Sequence, residues 1–328
     1  MTIPAEFRAF RIHSDAESHR AAIEGLRLDQ LSEGEVVIKA AFSSINYKDA
    51  LAGSGKGKIL RHSPLVGGID VAGHVVASSA PAFREGDPVL CTGCGLSETR
   101  DGGYSEYVRL PAEWTVPLPT GLDLREAMIL GTAGFTAALS LYRMEQNGQH
   151  PEQGPIVVTG ATGGVGILAI DLLTRAGYSA HAITGKIQQL DFLLGIGAKQ
   201  VISRQDLHWG QRPLENTLWA GAIDSVGSDM LAGLTRVIQP YGNIASCGLA
   251  AGHGLHTTVM PFIIRGVSLL ASPLRAPLAP FAIRSGIAWA RTGSPPTSMP
   301  SARAASASTH FRASSTACSA AAAWVVPW

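Results

Sequence analysis

Over roughly the first 125 residues, apolar and polar positions alternate in short runs. Gly34–Ala40 alternates after a turn, and Gly73–Ala77 follows a glycine-rich turn. Pro88–Leu90 follows Glu85-Gly-Asp87, Gly103–Val108 alternates, and Trp114–Val116 is short. Many short strands separated by turn signals predict a small β-barrel. From Leu124 the rhythm lengthens. Arg125–Ile129 and Thr132–Leu141 read as helices with a break at Gly131/Gly134. Strand Ile156–Thr159, a helix over 167–176 and strand 179–183 come next. A helix near Gln188–Leu194 leads to strand Gln200–Ile202, and strand Ala220–Asp224 leads through helix Met230–Gln239 to strand Asn243–Cys247. Strands spaced by helices predict a parallel, doubly wound sheet, so the fold class is α/β.

The stretch Ile156–Gly166, IVVTGATGGVG, joins a β-branched strand to a helix through glycines at 160, 163, 164 and 166. Such a turn lets the backbone approach a pyrophosphate, and the helix N-terminus offers free N–H groups and a positive dipole end. The spacing is G-x-x-G-x-x-G rather than G-x-G-x-x-G, so the identification rests on the strand and helix that flank it. Thr162, Gly163, Gly164 and Val165 are the expected phosphate contacts. An NAD site usually ends the next strand with Asp or Glu. This chain has Thr184-Gly185-Lys186 there, with no carboxylate to repel a 2′-phosphate and an ammonium to bind one. NADPH is the expected cofactor; the plainer alternative is a solvated lysine.

Length allows two domains, and a net charge of +1 over 328 residues carries no nucleic-acid or membrane signature. No apolar run reaches membrane-spanning length and MTIPAEFRAF lacks a signal-peptide core, so a cytoplasmic protein is expected. Cys91-Thr-Gly-Cys94 is a C-x-x-C, but no second such pair or clustered histidines completes a zinc set. Ordinary, partly buried thiols are the expectation. His74 and His181 fall inside strand-like runs and are read as structural.

Several ordered blocks carry a family resemblance. They are Asn46-Tyr-Lys-Asp-Ala50 with Gly55-Lys-Gly-Lys-Ile59, Gly68-Ile-Asp-Val-Ala-Gly73, Ile129–Ala137, Trp219–Gly227, Cys247–Ala250 and Thr257–Ile263. Together they resemble the zinc-free medium-chain dehydrogenase/reductases, in the quinone-oxidoreductase-like subgroup that includes acrylyl-CoA reductase. The resemblance covers roughly residues 8–270. It implies a GroES-like barrel domain (1–125) joined to a Rossmann NADPH-binding domain (126–270), a homodimer, and hydride transfer to the β-carbon of an α,β-unsaturated thioester or ketone. Zinc-dependent relatives place a cysteine ligand near the position of Asn46.

The resemblance puts Asn46, Tyr47 and Asp49 at the reaction site. Asn46 would orient the enoyl carbonyl, and Tyr47 would contact the nicotinamide side or donate a hydrogen bond. Asp49 would be a proton relay, or only a structural partner for Lys48. Lys56, Lys58 and Arg61 would hold CoA phosphates, unless they form a solvated basic loop. By resemblance Arg204 lies near the adenosine end of the cofactor and Leu249 along it. The leading expectation is reduction of acrylyl-CoA or a similar small acyl-CoA. A quinone or enone reductase and an NADPH-binding protein without turnover are the alternatives.

The last reason stems from the C-terminus. From Ala271 to Trp328 there is no Asp, Glu or Lys, and Ala, Ser, Pro and Arg dominate. Such a low-complexity segment is what a shifted reading frame near codon 271 of a GC-rich gene would produce; a genuine divergent tail is the alternative. If the tail is genuine, the barrel is expected to lack its closing strands and the sheet an edge.

Overall fold

The computed structural model describes residues 3–15 and 17–271 and the backbone of Val325–Pro327. The chain divides into two compact units that part between Thr132 and Ala133. The first contains β1 (Phe7–Ser14), β2 (His19–Leu26), β3 (Val36–Ser44), α1 (Tyr47–Ser54), β4 (Leu65–Val66), β5 (Asp70–Ser78), β6 (Pro88–Thr92), β7 (Tyr107–Leu110) and β8 (Val116–Pro117). β1 and β2 form an antiparallel hairpin with Phe7 opposite Leu26, and β4 adds to the other edge of β1. β3, β5, β6 and β8 make an antiparallel sheet in that order, and β7 also pairs with β3. Phe7, Leu26, Leu31, Val37, Val66, Val76 and Tyr107 fill a core cluster of this unit. These are the inward positions of strands whose alternate residues face water.

α2 (Leu124–Gln146) runs through the division. The second unit continues with β9 (Ile156–Thr159), α3 (Gly164–Arg175), β10 (Ala180–Thr184), α4 (Leu190–Gly195), β11 (Gln200–Ser203), β12 (Trp219–Asp224), α5 (Ser228–Val237), β13 (Ile238–Ser246), α6 (Met260–Arg265) and β14 (Ser268–Ala271). Its sheet is parallel throughout, in the order β11-β10-β9-β12-β13-β14. β9 and β12 are wholly buried, which is why they read as continuous apolar runs rather than alternations. The order reverses between β9 and β12, and in such sheets ligands bind beyond the strand C-termini at that point.

β15 (Val325–Pro327) pairs antiparallel with β3, Val325 opposite Ser44 and Pro327 opposite Phe42. This corrects the expectation that the tail leaves β3 without a closing partner. Proline is tolerated because β15 lies at the sheet edge. The rest of the tail, and with it the reading-frame question, lies outside the described residues.

Other elements differ from expectation for physical reasons. β1 and β2 lie in a three-stranded sheet and carry arginines and histidines on exposed positions, so the apolar alternation is diluted. The sequence pattern predicts no element over α1, which is only eight residues long. α5 ends at Val237 and β13 starts at Ile238 without a connecting loop. The two helices expected on either side of a glycine break do meet at a kink, which falls on Gly131 alone (φ 45°, ψ −153°), while Gly134 lies within the second helix.

Gly131 is irreplaceable at that kink. A Cβ there would sit 2.7 Å from Ser44 Oγ and 2.9 Å from Asp70 Oδ2, on top of the positive φ. Gly131→Ala is therefore expected to lower the unfolding free energy by about 2–4 kcal/mol. Urea denaturation measures it; a change within experimental error of zero would show that the kink is not tightly held.

Candidate active site

In the first unit, the chemistry gathers where β3, α1, β5 and the kink of α2 meet. Asp70, the first residue of β5, is fully buried. Its carboxylate accepts hydrogen bonds from Ser44 Oγ, from Asn46 Nδ2 at 2.8 Å, and from Thr132 through both the backbone N–H (3.1 Å) and the hydroxyl (2.6 Å). Burial pushes its carboxyl above the usual range while these donors pull it back.

Asn46 is the N-cap of α1, with extended backbone, and Gly55 closes the helix in the left-handed conformation. Asp49 stands three residues into that helix and accepts from Asn46 N (2.8 Å) and Ile69 N (3.0 Å), tying the helix start to the residue that leads into β5. It is 6% exposed. Burial pushes its carboxyl up to about 6, and the nearby Asp70 charge adds to that. Lys48 pairs with Glu98, which corrects the reading of Asp49 as its structural partner. Tyr47, by contrast, is 61% exposed. Tyr104 donates to Ser44 O at 3.0 Å and also hydrogen-bonds Asp49, so it braces both sides of the cluster. Lys56, Lys58 and Arg61 are exposed on the segment after Gly55, and the Arg61 backbone N–H donates to Glu98 O at 2.7 Å.

In the second unit, Thr162–Val165 lie open at the turn between β9 and α3. The turn is as tight as a pyrophosphate cradle requires: a Cβ on Gly166 would come 2.5 Å from Gly160 O and 2.7 Å from Ala161 Cα. The first-turn N–H groups of α3 have no partner within the helix and point outward. Thr184 is buried at the end of β10, and its Oγ1 accepts the Lys186 N–H at 2.9 Å. The guanidinium of Arg204 lies against Gly185, where a Cβ would meet its Nε at 2.8 Å. Two cations, Lys186 and Arg204, thus flank one exposed glycine, and neither has an ion-pair partner among the described residues. These residues fit a dinucleotide that carries a 2′-phosphate. Leu249, 57% exposed, lies just beyond β13.

Sequence reasoning missed the buried acids. Asp224, at the end of β12, accepts from Thr159 Oγ1 at 2.6 Å and Gly227 N at 2.9 Å, locking the strand ends on both sides of the sheet's reversal point. Asp70 and Asp224 each stand at the end of a strand beside buried apolar residues, the one signal that could have singled them out. His74 is exposed on β5, and His181 accepts from Trp219 Nε1 at 3.2 Å. Cys91 and Cys94 are both buried rather than partly so. Among the described residues no three His, Cys, Asp or Glu side chains cluster as metal ligands, and no helix is long and apolar enough to cross a membrane.

Residues 32–120 match the alcohol dehydrogenase GroES-like domain, and residues 164–282 match the family described as zinc-binding dehydrogenase. YhfP of Bacillus subtilis, which carries a quinone oxidoreductase name, is 46% identical over 289 residues, covering 88% of this chain and 87% of its own length. The chain belongs to the quinone-oxidoreductase-like medium-chain dehydrogenase/reductases. As a member of that family it is an oxidoreductase with a GroES-like and a Rossmann domain. Acrylyl-CoA reductase AcuI of Ruegeria pomeroyi is 42% identical over 288 residues, 87% of this chain and 86% of AcuI. The yhdH oxidoreductase of Salmonella enterica, solved in complex with NADP, has a TM-score of 0.81 at 45% identity and covers 87% of this chain and 86% of its own. The B. subtilis yhfP structure, at the same TM-score and 44% identity, covers 87% of both chains and has NAD bound. The match to the second family model continues to residue 282, beyond the limit near 270 expected from the blocks above.

The elevated Asp49 carboxyl makes a pH prediction. A carboxyl whose folded pKa is raised favours folding in its protonated form; that contribution is complete below its unfolded value, near 4, and is lost as pH rises through about 6. Asp49→Asn removes the titration. Its unfolding free energy, relative to the native chain, should therefore improve by about 2 kcal/mol between pH 4 and pH 7. Parallel denaturation curves at the two pH values would refute this if the difference stayed constant.

Proposed function

We propose that this protein reduces the C=C bond of a small α,β-unsaturated acyl-CoA with NADPH, converting acrylyl-CoA to propionyl-CoA. The observation that carries this reading is the run of exposed cations Lys56, Lys58 and Arg61, which directly follows the helix that begins at Asn46 and Tyr47. A phosphate-bearing thioester needs such charges; a quinone does not. NADPH, when bound, supplies the hydride that adds to the β-carbon.

Each residue then has a chemical task. Addition to the β-carbon builds negative charge on the thioester oxygen, so a donor at that oxygen lowers the barrier. Asn46 is that donor: one N–H of its amide is spent on Asp70, which fixes the plane, and the other is directed to substrate. Tyr47, exposed at the first position of α1, lends its hydroxyl to the substrate or to the nicotinamide side. Asp49 is a positioning residue, since its carboxylate is occupied by two backbone N–H groups. Lys186 and Arg204 hold the 2′-phosphate, and Thr162–Val165 hold the pyrophosphate.

NADPH oxidation, followed by absorbance with acrylyl-CoA and a 1,4-quinone as parallel substrates, tests the reading. Turnover with acrylyl-CoA and little with the quinone is the expected result. Turnover with the quinone alone supports quinone reduction, the activity that YhfP's name carries. NADPH binding without either reaction would leave a cofactor-binding protein. Lys186→Glu should raise the KM for NADPH about tenfold or more, the loss of one charge-assisted phosphate contact, with little change for NADH; equal effects on both would remove Lys186 from the 2′-phosphate.

A further inference from the structure

The C-x-x-C motif has no part in the reaction proposed above, yet its geometry is specific. Cys91 lies on β6 opposite Val71, one position from the pair Asp70–Thr92. Cys94 follows in a turn of three successive left-handed residues, Gly93 (φ 68°), Cys94 (φ 49°) and Gly95 (φ 77°). A cysteine in that region is costly unless its surroundings impose it. Here the turn is pinned by Gly93 N–H to Ile69 O at 2.8 Å and Leu96 N–H to Gly93 O at 2.9 Å. The reversal places the two cysteines three residues apart on either side of one tight turn: both are free thiols, and each acts on the other's titration.

The two sulfurs are not equivalent. Cys91 is 0% exposed and Cys94 7%, so a small reagent from solvent meets Cys94 first. The neighbouring Cys91 draws the Cys94 thiol below its ordinary range, while Cys94 and burial push Cys91 up. This is the division of labour of an attacking and a resolving thiol. The same segment holds Ser97 Oγ and Arg100 Nε, buried without hydrogen-bond partners, and the Arg100 charge acts on the Cys91 sulfur.

We propose that Cys91 and Cys94 form a redox-active dithiol that a hydroperoxide closes to a disulfide. The Cys94 thiolate attacks the peroxide, the O–O bond breaks, and Cys94 becomes a sulfenic acid with release of hydroxide. Cys91 then attacks the Cys94 sulfur, its proton leaves with the departing hydroxyl as water, and the S–S bond forms. Two thiols lose two electrons, and hydrogen peroxide with one further proton ends as two waters. The closed loop reports to the site next door, because Gly95 O accepts the Glu98 N–H and Glu98 holds both Lys48 and the Arg61 backbone.

The test needs no activity assay. The full chain is treated with hydrogen peroxide, denatured in the presence of an alkylating agent and digested with trypsin; the peptide from Glu85 to Arg100 carries both cysteines. The expected product is that peptide unalkylated and lighter than the dithiol by two hydrogens, with both alkylation sites restored by dithiothreitol. Cys91→Ser should instead stall at a Cys94 sulfenic acid trapped by dimedone, and Cys94→Ser should leave Cys91 reduced. Two alkylated cysteines after peroxide, oxidation of both to sulfinic acids, or a disulfide from either one to Cys247 or Cys318 would each overturn the proposal.

Discussion

A carboxylate taken out of water must find its donors inside the protein, and Asp70 finds them on three separate pieces of chain. Ser44 at the end of β3, Asn46 at the start of α1 and Thr132 at the kink of α2 all converge on its two oxygens. Leaving a buried hydrogen-bonding group without its partner costs about 1–3 kcal/mol, so these segments are held in one arrangement. The α2 kink follows from the same demand. Only a residue that breaks the helix just before Thr132 frees that backbone N–H for Asp70, and only glycine fits beside Ser44 and Asp70. Asp49 then repeats the device one layer away, gripping the N-terminus of α1 and the Ile69 backbone. Asn46 is consequently presented by a rigid support rather than by a loop, which is what a hydrogen-bond donor to a developing charge requires.

The second unit solves the same problem at the C-terminal edge of its sheet. Asp224 takes the Thr159 hydroxyl and the Gly227 N–H, so the ends of β9 and β12 are clamped where the strand order reverses. Ser225 reinforces the clamp, donating from its hydroxyl to Thr159 O at 3.1 Å. The glycine turn departs from this clamped edge, and its shape is set by backbone approach rather than by side chains. Both units therefore use a buried aspartate to fix backbone beside their candidate site residues.

The parallel half of the fold was legible because its strands are short apolar runs between helical periods, and the glycine turn stood where strand met helix. The antiparallel half was less so. β1 and β2 escaped notice because arginine and histidine interrupt their alternation, and α1 because an eight-residue helix contributes barely two turns of periodicity. Its signature was present all the same: Asn46, Asp49 and Gly55 are the residues that start, support and end a helix. Of the candidate site, the glycine loop and Lys186 were visible through motif and charge, and Asn46 and Tyr47 only through the family resemblance. Asp70, Ser44 and Thr132 were not, since their meeting is a contact between segments far apart in sequence that no local pattern encodes. The same holds for Arg204 against Gly185, which the family resemblance located and geometry alone explains.

β15 gives the chain an order of assembly. The strand that covers Ser43 and Ser44 is drawn from beyond the whole second unit, while every strand of the second unit's sheet lies in one unbroken stretch of sequence. On the ribosome, β9 to β14 emerge together and are free to fold, whereas β3 waits with three residues of its edge unpaired until residues 325–327 are made. Long-range pairing of this kind is slow because loop-closure entropy is spent before the contact forms. The nascent first unit thus passes through a stage in which Ser44 already has Asp70 as partner but its own backbone edge is open. An open edge is a template for other strands, so β15 acts as a late-arriving guard for the segment that leads into the candidate site.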